Sequence, residues 1–218
     1  MRDTRKDQKY FDEYLGYQKT RIEKKVSKLS DCDEEKKQRI LVSLTGYEID
    51  LLKAEFSAGA DFDELRTEYE KAIHLVCDYE SMAYEDILFF LSFTILFGNN
   101  NDVVKMIQKN EKAIVTDRLL LCLSVFIKTG KVTWDKNVSI IPEYNLLDDV
   151  FESNNRDMAM RRYLERWYSN HIQCAWYDSH LKDTDTYCGY WCFEAAAIVK
   201  MLSMNSEDYN GIQYYPSF

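Results

Sequence analysis

Proline is scarce in this chain: Pro142 and Pro216 are the only two among 218 residues. Because proline interrupts helices, the stretch before residue 142 has no such break, and long helices are expected there. Long apolar runs are also missing. The longest, residues 87–97, has 11 residues and includes Ser92 and Thr94, whereas a membrane-spanning helix needs about 20 apolar residues. We therefore predict no membrane span.

Positive charge is in short supply as well. The chain has 28 Lys and Arg against 37 Asp and Glu, a net charge of -9. Nucleic acid is therefore not expected as a direct ligand, because phosphate binding needs a basic face. The opening residues Met1–Lys6 lack the apolar core of a signal peptide, and the six cysteines are scattered. We predict reduced thiols and a cytoplasmic location.

Apolar spacing predicts an all-α fold, a multi-helix, bundle-like orthogonal array with two helical halves packed together. The second helix is expected to be capped by Asp31 or Asp33 and to end at Gly59. We expect an N-terminal helical domain at residues 1–115 and a C-terminal helical domain at residues 116–218. The main predicted helices cover about residues 4–29, a second from residue 32 or 34 up to Gly59, and then about 62–79, 84–97, 103–109, 117–128, 146–152, 156–172 and 190–202. Residues 131–142 are the least helical part.

A single carboxylate, Glu194, sits inside an apolar helical stretch near the end of the chain. An ionised carboxylate is not buried without a partner, so Glu194 needs a structural or a functional counterpart. One interpretation pairs it with His180 or Tyr187 as acid and base. The other, which we favour, is a buried Glu that fixes the last helix to its neighbours. The predicted structural motif comprises His180, Tyr187, Tyr190, Trp191 and Glu194.

Zinc-type ligands gather in the same region, namely His171, Cys174, His180, Cys188 and Cys192. Cys188 and Cys192 would lie one turn apart if both were helical. No CxxC pair is present, however, and buried free cysteine commonly behaves as a small hydrophobe. We therefore predict no metal and no cofactor.

Acidic residues are concentrated in residues 48–86, the acidic belt, with 12 Asp and Glu against three Lys and Arg. Such a belt is either a solvated surface or a binding face for a basic partner, which would relieve its self-repulsion. A second acidic cluster comprises Glu143, Asp148, Asp149 and Glu152. Tyr69 and Tyr84 are candidate exposed anchors. The predicted partner-binding residues are Glu48, Asp61, Asp63, Glu64, Glu68, Glu70, Asp148, Asp149 and Glu152.

Residues 1–28 reverse this balance, with nine Lys and Arg against five Asp and Glu. A basic helix can bind RNA or a membrane surface, but acids are interleaved here. We expect this helix to contact the acidic helices of its own chain instead.

Two segments resemble a known family. Met1-Arg2-Asp3, Lys6-Asp7, Tyr10-Phe11-Asp12 and Arg21-Ile22 are similar to the N-terminal domain of PoNi-type immunity proteins. Residues 187–202, with Gly189-Tyr190-Trp191 and Phe193-Glu194-Ala195-Ala196-Ala197, resemble their C-terminal domain, as does the closing Tyr214-Tyr215-Pro216. The likeness covers nearly the whole chain, and the C-terminal motif is the more specific half. Cys192 stands where the family more often has alanine.

The resemblance implies a helical, non-enzymatic bacterial inhibitor of PoNe-type DNase toxins, which secretion systems deliver between competing cells. The implied partner is a cognate nuclease toxin with a basic surface. The resemblance supplies no catalytic residues to carry over to this sequence. Two alternatives stay open: a small helical metal-dependent or acid/base enzyme that uses Glu194 and nearby His or Cys, and a chaperone or adaptor for a basic partner.

Overall fold

The computed structural model describes residues 1–30 and 32–218, and within these ranges it contains helices and no strand. The predicted all-α fold is confirmed. The α-helices are α1 (Gln8–Val26), α2 (Glu34–Ala58), α3 (Phe62–Val76), α4 (Tyr84–Phe97), α5 (Asn101–Lys109), α6 (Glu111–Ile114), α7 (Arg118–Thr129), α8 (Leu147–Glu152), α9 (Arg156–Asn170) and α10 (Phe193–Met201). Short 3₁₀ turns lie at Pro142–Tyr144, Ser179–Leu181 and Ser206–Tyr209.

Local sequence signals set most helix ends. Asp33 caps α2 by accepting a hydrogen bond from the Lys36 amide at 2.8 Å, while the alternative cap, Asp31, lies outside the described residues. Asp61 and Glu64 form a reciprocal capping box at the start of α3. This arrangement satisfies backbone N–H groups that have no partner inside the helix.

Helix α4 is the centre of the core, as its apolar sequence predicts. Every residue from 87 to 97 is buried, and the helix contacts α2, α3, α5, α7 and α10. Its two buried hydroxyls are satisfied within the helix: Ser92 donates to the Leu88 carbonyl and Thr94 to the Phe90 carbonyl, both at 2.7 Å. Among the described residues, no helix combines the length and the apolar character needed to cross a membrane.

Aromatic side chains join the two helical halves. The ring of Phe193, at the start of α10, lies 4.8 Å from that of Phe93 in α4 and 5.3 Å from that of Phe56 in α2. Both contacts are edge-to-face, the favoured geometry for aromatic pairs. The expected packing of two helical halves is therefore confirmed, while the boundary at residue 115 stays a prediction.

Two helices are shorter than predicted because the chain next to them makes tertiary hydrogen bonds. Residues before Gln8 are extended, and the Arg2 and Asp3 amides donate to the Ser57 carbonyl of α2 at 2.8 and 3.1 Å. Helix α10 begins at Phe193 rather than near residue 190, since the Cys192 amide donates to the Tyr214 carbonyl at 2.8 Å. Apolar periodicity does not reveal such long-range bonds.

Ser57 and Gly189 form the closest contact between the halves. The Ser57 hydroxyl donates to the Cys188 carbonyl at 2.8 Å, and it accepts from Nε1 of Trp191 at 2.8 Å. Gly189 has a φ of +113°, and a Cβ built there would lie 2.1 Å from Oγ of Ser57. Glycine is therefore required at position 189 for two reasons: the positive φ disfavours other residues, and the contact with Ser57 leaves no room for a Cβ atom.

We predict that Gly189→Ala destabilises the fold by at least about 1 kcal/mol more than Gly98→Ala does. Gly98 is a matched control, because its φ is +118° and no atom lies within 4 Å of a built Cβ. Both variants carry backbone strain of about 1–3 kcal/mol, but only Gly189→Ala also displaces the Ser57 hydroxyl. Urea unfolding measures both free energies, and equal losses would contradict the close-contact argument.

Candidate functional site

Glu194 is a buried carboxylate with three donors. Its Oε1 accepts from the Tyr163 hydroxyl at 2.8 Å, from Nε1 of Trp167 at 2.7 Å and from Sγ of Cys192 at 3.2 Å. Tyr163 and Trp167 lie on one face of α9, four residues apart. The Glu194 side chain thus ties α10 to α9, and the network accounts for its burial at 6% exposure.

His180 and Tyr187, the proposed acid/base partners of Glu194, are engaged elsewhere. Nδ1 of His180 lies 2.9 Å from the Tyr190 hydroxyl. Tyr187 donates its hydroxyl to the buried carboxylate of Asp3, which also accepts from Arg5 at 3.2 Å. These contacts join the C-terminal motif to the first residues of the chain rather than assembling a site around Glu194.

The zinc hypothesis finds no support in the geometry. Within the described residues, no group of three or more His, Cys, Asp or Glu side chains is placed to hold a metal ion. Cys188 and Cys192 both precede α10, so they do not share a helix face. The Cys188 thiol lies 3.7 Å from Asp50, and Cys192 contacts Glu194.

The acidic belt is partly neutralised by cations from other helices. Arg66 and Lys71, which belong to the belt, pair with Glu70 at 3.1 Å and Glu68 at 2.9 Å. Lys19 of α1 contacts an acidic helix of its own chain, as the basic start of the sequence predicts. The pairs with cations from outside the belt are Lys19–Glu55 at 3.0 Å, Lys37–Asp78 at 3.3 Å, Lys105–Asp78 at 2.7 Å and Lys109–Glu80 at 2.6 Å.

One part of the belt keeps its negative charge at the surface. Asp61, Asp63 and Glu64 are exposed at the start of α3, and in the described part of the chain no cation lies within 4.0 Å of their carboxylates. We call these three residues the α3 edge. It borders a groove between α1, the end of α2 and α3, to which Glu55 and Glu68 add further carboxylates.

Two residues expected at the surface are buried, and a third is half-buried. Glu48 is 2% exposed, because it faces α3 from the inner side of α2. Tyr69, a candidate exposed anchor, is 1% exposed and its hydroxyl bonds Thr94 at 2.6 Å. Tyr84 is half-buried and donates to Asp117 at 3.2 Å. The prediction that Glu48 and Tyr69 lie on an exposed face was wrong, while Tyr84 is partly exposed and its role as an anchor stays a prediction.

The second acidic cluster is largely paired. Arg118 of α7 contacts Asp148, Lys136 reaches Glu152 at 2.6 Å, and Arg162 of α9 reaches Asp149 at 2.5 Å. Asp148 also accepts from Nε1 of Trp134 at 2.9 Å. This cluster has no basic residue within its own sequence, but three cations from neighbouring segments converge on it. Its free charge is therefore smaller than the sequence suggests.

A cleft that the sequence analysis did not predict lies between the two halves. It has a volume of about 220 Å³ and is lined by residues of α2, α4 and the segment from α9 to α10. Carboxylates of Asp50, Glu85, Asp86 and Glu194 line it together with one ammonium, that of Lys53. Several tryptophans near the C-terminal motif line this cleft. They do not follow a helical period in the sequence, so their spacing did not indicate a shared site.

Burial perturbs the charged groups of this inter-half cleft. It raises the pKa of Asp86 to about 6, and it also raises the pKa of Asp50. Burial alone would lower the pKa of Lys53, but the surrounding acidic groups, Asp50 and Glu85 among them, together raise it above its ordinary value. The cleft is therefore a site of concentrated negative charge with limited access to water.

The chain was compared with known protein families, curated proteins and solved structures. The family model for the N-terminal domain of PoNe immunity proteins (PoNi) matches residues 2–109, and the model for their C-terminal domain matches residues 115–217. The chain belongs to the PoNe immunity protein family. Comparison with curated proteins gave no significant match, and comparison with solved structures gave none either.

We predict that Glu48→Gln stabilises the protein at pH 8. Burial, followed by repulsion from Glu68 and Glu55, raises the pKa of Glu48 to about 7 from 4.5. The folded state therefore holds this proton more tightly than the unfolded state, and stability contributed by Glu48 is lost as the pH rises from about 4.5 to about 7. Glutamine does not ionise, so the gain is about 1–3 kcal/mol at pH 8 and absent below pH 4.5.

Urea unfolding of the Glu48→Gln variant at pH 4 and pH 8 measures this difference. Glu70→Gln is the control, because Glu70 is half-exposed and paired with Arg66. An equal effect of Glu48→Gln at both pH values would contradict the raised pKa.

Proposed function

We propose that this chain is an immunity protein that binds a cognate PoNe-type nuclease toxin and neutralises it through an acidic surface. Membership of the PoNe immunity protein family is the observation that carries the proposal. In this proposal the chain acts as a stoichiometric inhibitor, not as an enzyme, and protects the cytoplasm of the bacterium that makes it. The toxin is one that secretion systems deliver between competing cells.

The physics of DNA cleavage supports an acidic inhibitor. A nuclease must present basic residues around its active site to hold the phosphate backbone. A partner with a net charge of -9 is attracted to that surface from a distance, which speeds association. Once bound, its carboxylates occupy the positions of the phosphates, and DNA is excluded.

The α3 edge is the part of the molecule best suited to this contact. Asp61, Asp63 and Glu64 are exposed, and the chain's own cations neutralise much of the remaining acidic belt. Asp61 and Glu64 are fixed by their capping box, so they lose little side-chain freedom on binding. Glu68 and Glu70 lie one to two turns further along α3, but their pairs with Lys71 and Arg66 reduce the charge that they add to this surface.

The enzyme alternative has less to support it. The three donors to Oε1 of Glu194 describe a carboxylate that joins two helices. His180 and Tyr187 make their hydrogen bonds to other groups. We therefore assign Glu194 a structural role in the C-terminal motif.

We predict that Asp63→Lys slows association with the cognate nuclease about 3- to 10-fold and leaves the fold intact. Asp63 is the member of the α3 edge that takes no part in the capping box, so this variant changes charge without removing a cap. Glu165→Lys is the matched control: it makes the same change in net charge on the exposed face of α9. Surface plasmon resonance at two salt concentrations measures both rates.

Asp63→Lys should also weaken the salt dependence of the association rate. Salt screens the attraction between the Asp63 carboxylate and the basic nuclease, and the variant removes that attraction. The placement on the α3 edge would be wrong if Asp63→Lys and Glu165→Lys slowed association equally. In that case only the net charge of the molecule would matter.

A further inference from the structure

The inter-half cleft carries an excess of negative charge that nothing in the described part of the chain balances. Asp50, Glu85, Asp86 and Glu194 line it, against the single ammonium of Lys53. Three of these carboxylates accept hydrogen bonds from other side chains, whereas among the described residues Asp86 has only a hydrogen bond to the Ala83 backbone at the start of α4. Repulsion among buried carboxylates is costly, and a bound cation relieves it.

His171 adds a second, independent signal. Its side chain is 2% exposed and lines the cleft. Nδ1 lies 2.6 Å from the Trp167 carbonyl, which can only accept, so Nδ1 carries the hydrogen. In the neutral imidazole, Nε2 is then an acceptor with a free lone pair. It is one of two buried side-chain polar atoms without a partner in the described residues, and buried acceptors of this kind are rarely left unpaired. The atom that would satisfy it is a hydrogen-bond donor.

Aromatic rings form much of the remaining wall. Trp167, Trp176 and Trp191 line the cleft with Phe89 and Tyr190. The Lys53 ammonium lies 5.5 Å from the centre of the Phe89 ring, within the range of a cation–π contact. Aromatic walls with carboxylates accommodate a cationic head and an aliphatic stem together.

Glu85 holds the exposed side of the cleft in a defined geometry. Its Oε1 accepts from Sγ of Cys174 at 3.2 Å, and its Oε2 accepts from Nε1 of Trp176 at 3.3 Å. Glu85 belongs to α4, whereas both donors belong to the C-terminal half. The carboxylate is thus fixed before a ligand arrives, which lowers the entropy cost of binding.

We propose that the inter-half cleft binds a guanidinium or ammonium group on an aliphatic stem. The cation contacts the carboxylates of Asp86 and Asp50, donates a hydrogen bond to Nε2 of His171 and packs its stem against the tryptophans. Lys53 is the resident cation of the cleft and competes with the ligand for the same carboxylates.

Tryptophan fluorescence provides a direct readout. Three of the four tryptophans line the cleft, and the fourth, Trp134, stacks on Phe151 elsewhere. In a Trp134→Phe background the signal therefore comes from the cleft alone. The ligand added is N-acetyl-L-arginine methylamide, and the neutral control is N-acetyl-L-norleucine methylamide. We expect a saturable change with the arginine derivative, with a Kd on the order of 1 mM, and none with norleucine.

Three variants in this background test the assigned roles. Asp86→Asn weakens binding about 10-fold, because a charge-assisted contact is lost. Asp12→Asn, the same change at an exposed residue of α1 outside the cleft and outside the α3 edge, leaves the affinity unaltered. Lys53→Met strengthens binding about 10-fold by removing the competing cation. Circular dichroism spectra establish that each variant is folded before titration.

The proposal is overturned if neither the Trp134→Phe protein nor its Lys53→Met variant shows saturable binding of the arginine derivative. Weaker binding of the arginine derivative after Lys53→Met would also overturn it, since Lys53 would then support binding in the cleft instead of competing with the ligand. Equal effects of Asp86→Asn and Asp12→Asn would show that the cation binds outside the cleft.

A second experiment, which rests on the proposed function, tests whether the cation is a side chain of the nuclease or a free small molecule. The arginine derivative is titrated into the complex with the nuclease, made with a nuclease whose tryptophans are replaced by phenylalanine. If an arginine or lysine of the nuclease fills the cleft, the derivative no longer binds. If the ligand is a free amine or guanidine, it still binds. Failure of the nuclease to bind at all would defeat the proposed function and leave the first arm intact.

Discussion

The close approach of Gly189 to Ser57 is the contact on which the arrangement of the molecule depends. It brings the C-terminal motif against α2, and the Ser57 carbonyl accepts from the Arg2 and Asp3 amides on the same turn. The first residues, the longest helix and the C-terminal motif thus meet at one point. The inter-half cleft lies beside this point, with Gly189 and Trp191 in its wall, so the same contact that joins the halves also shapes the space between them.

Negative charge is used in different ways in different parts of the chain. Near α5 and α8, carboxylates pair with cations of neighbouring helices and stabilise the fold. At the α3 edge they remain at the surface, where the proposed function has them attract the nuclease from a distance. In the cleft they surround Lys53 at depths that range from the exposed Glu85 to the buried Glu194, and the proposed cation would be bound among them. The net charge of -9 therefore describes several separate surfaces and not one acidic face.

Local signals in the sequence predicted the helices, the central position of α4 and the need of Glu194 for a buried partner. Periodicity, caps and a lone carboxylate in an apolar helix are all visible within one or two helical turns. The burial of Glu48, the cations that reach Asp148 and Asp149, and the inter-half cleft were missed. Each depends on residues that are distant in sequence and meet only after packing, as Arg118 and Asp148 do. The exposed side of α2 cannot be read from charge alone, because an acidic residue can face another helix.

Inhibition of DNA cleavage is the most direct test of the account. The purified cognate nuclease is titrated with this chain, and cleavage of linear DNA is measured at each ratio. The account predicts that cleavage falls to background at one equivalent of the chain and that the nuclease–chain complex no longer binds DNA. Tight binding of the chain with undiminished DNA binding and cleavage would contradict neutralisation by an acidic surface.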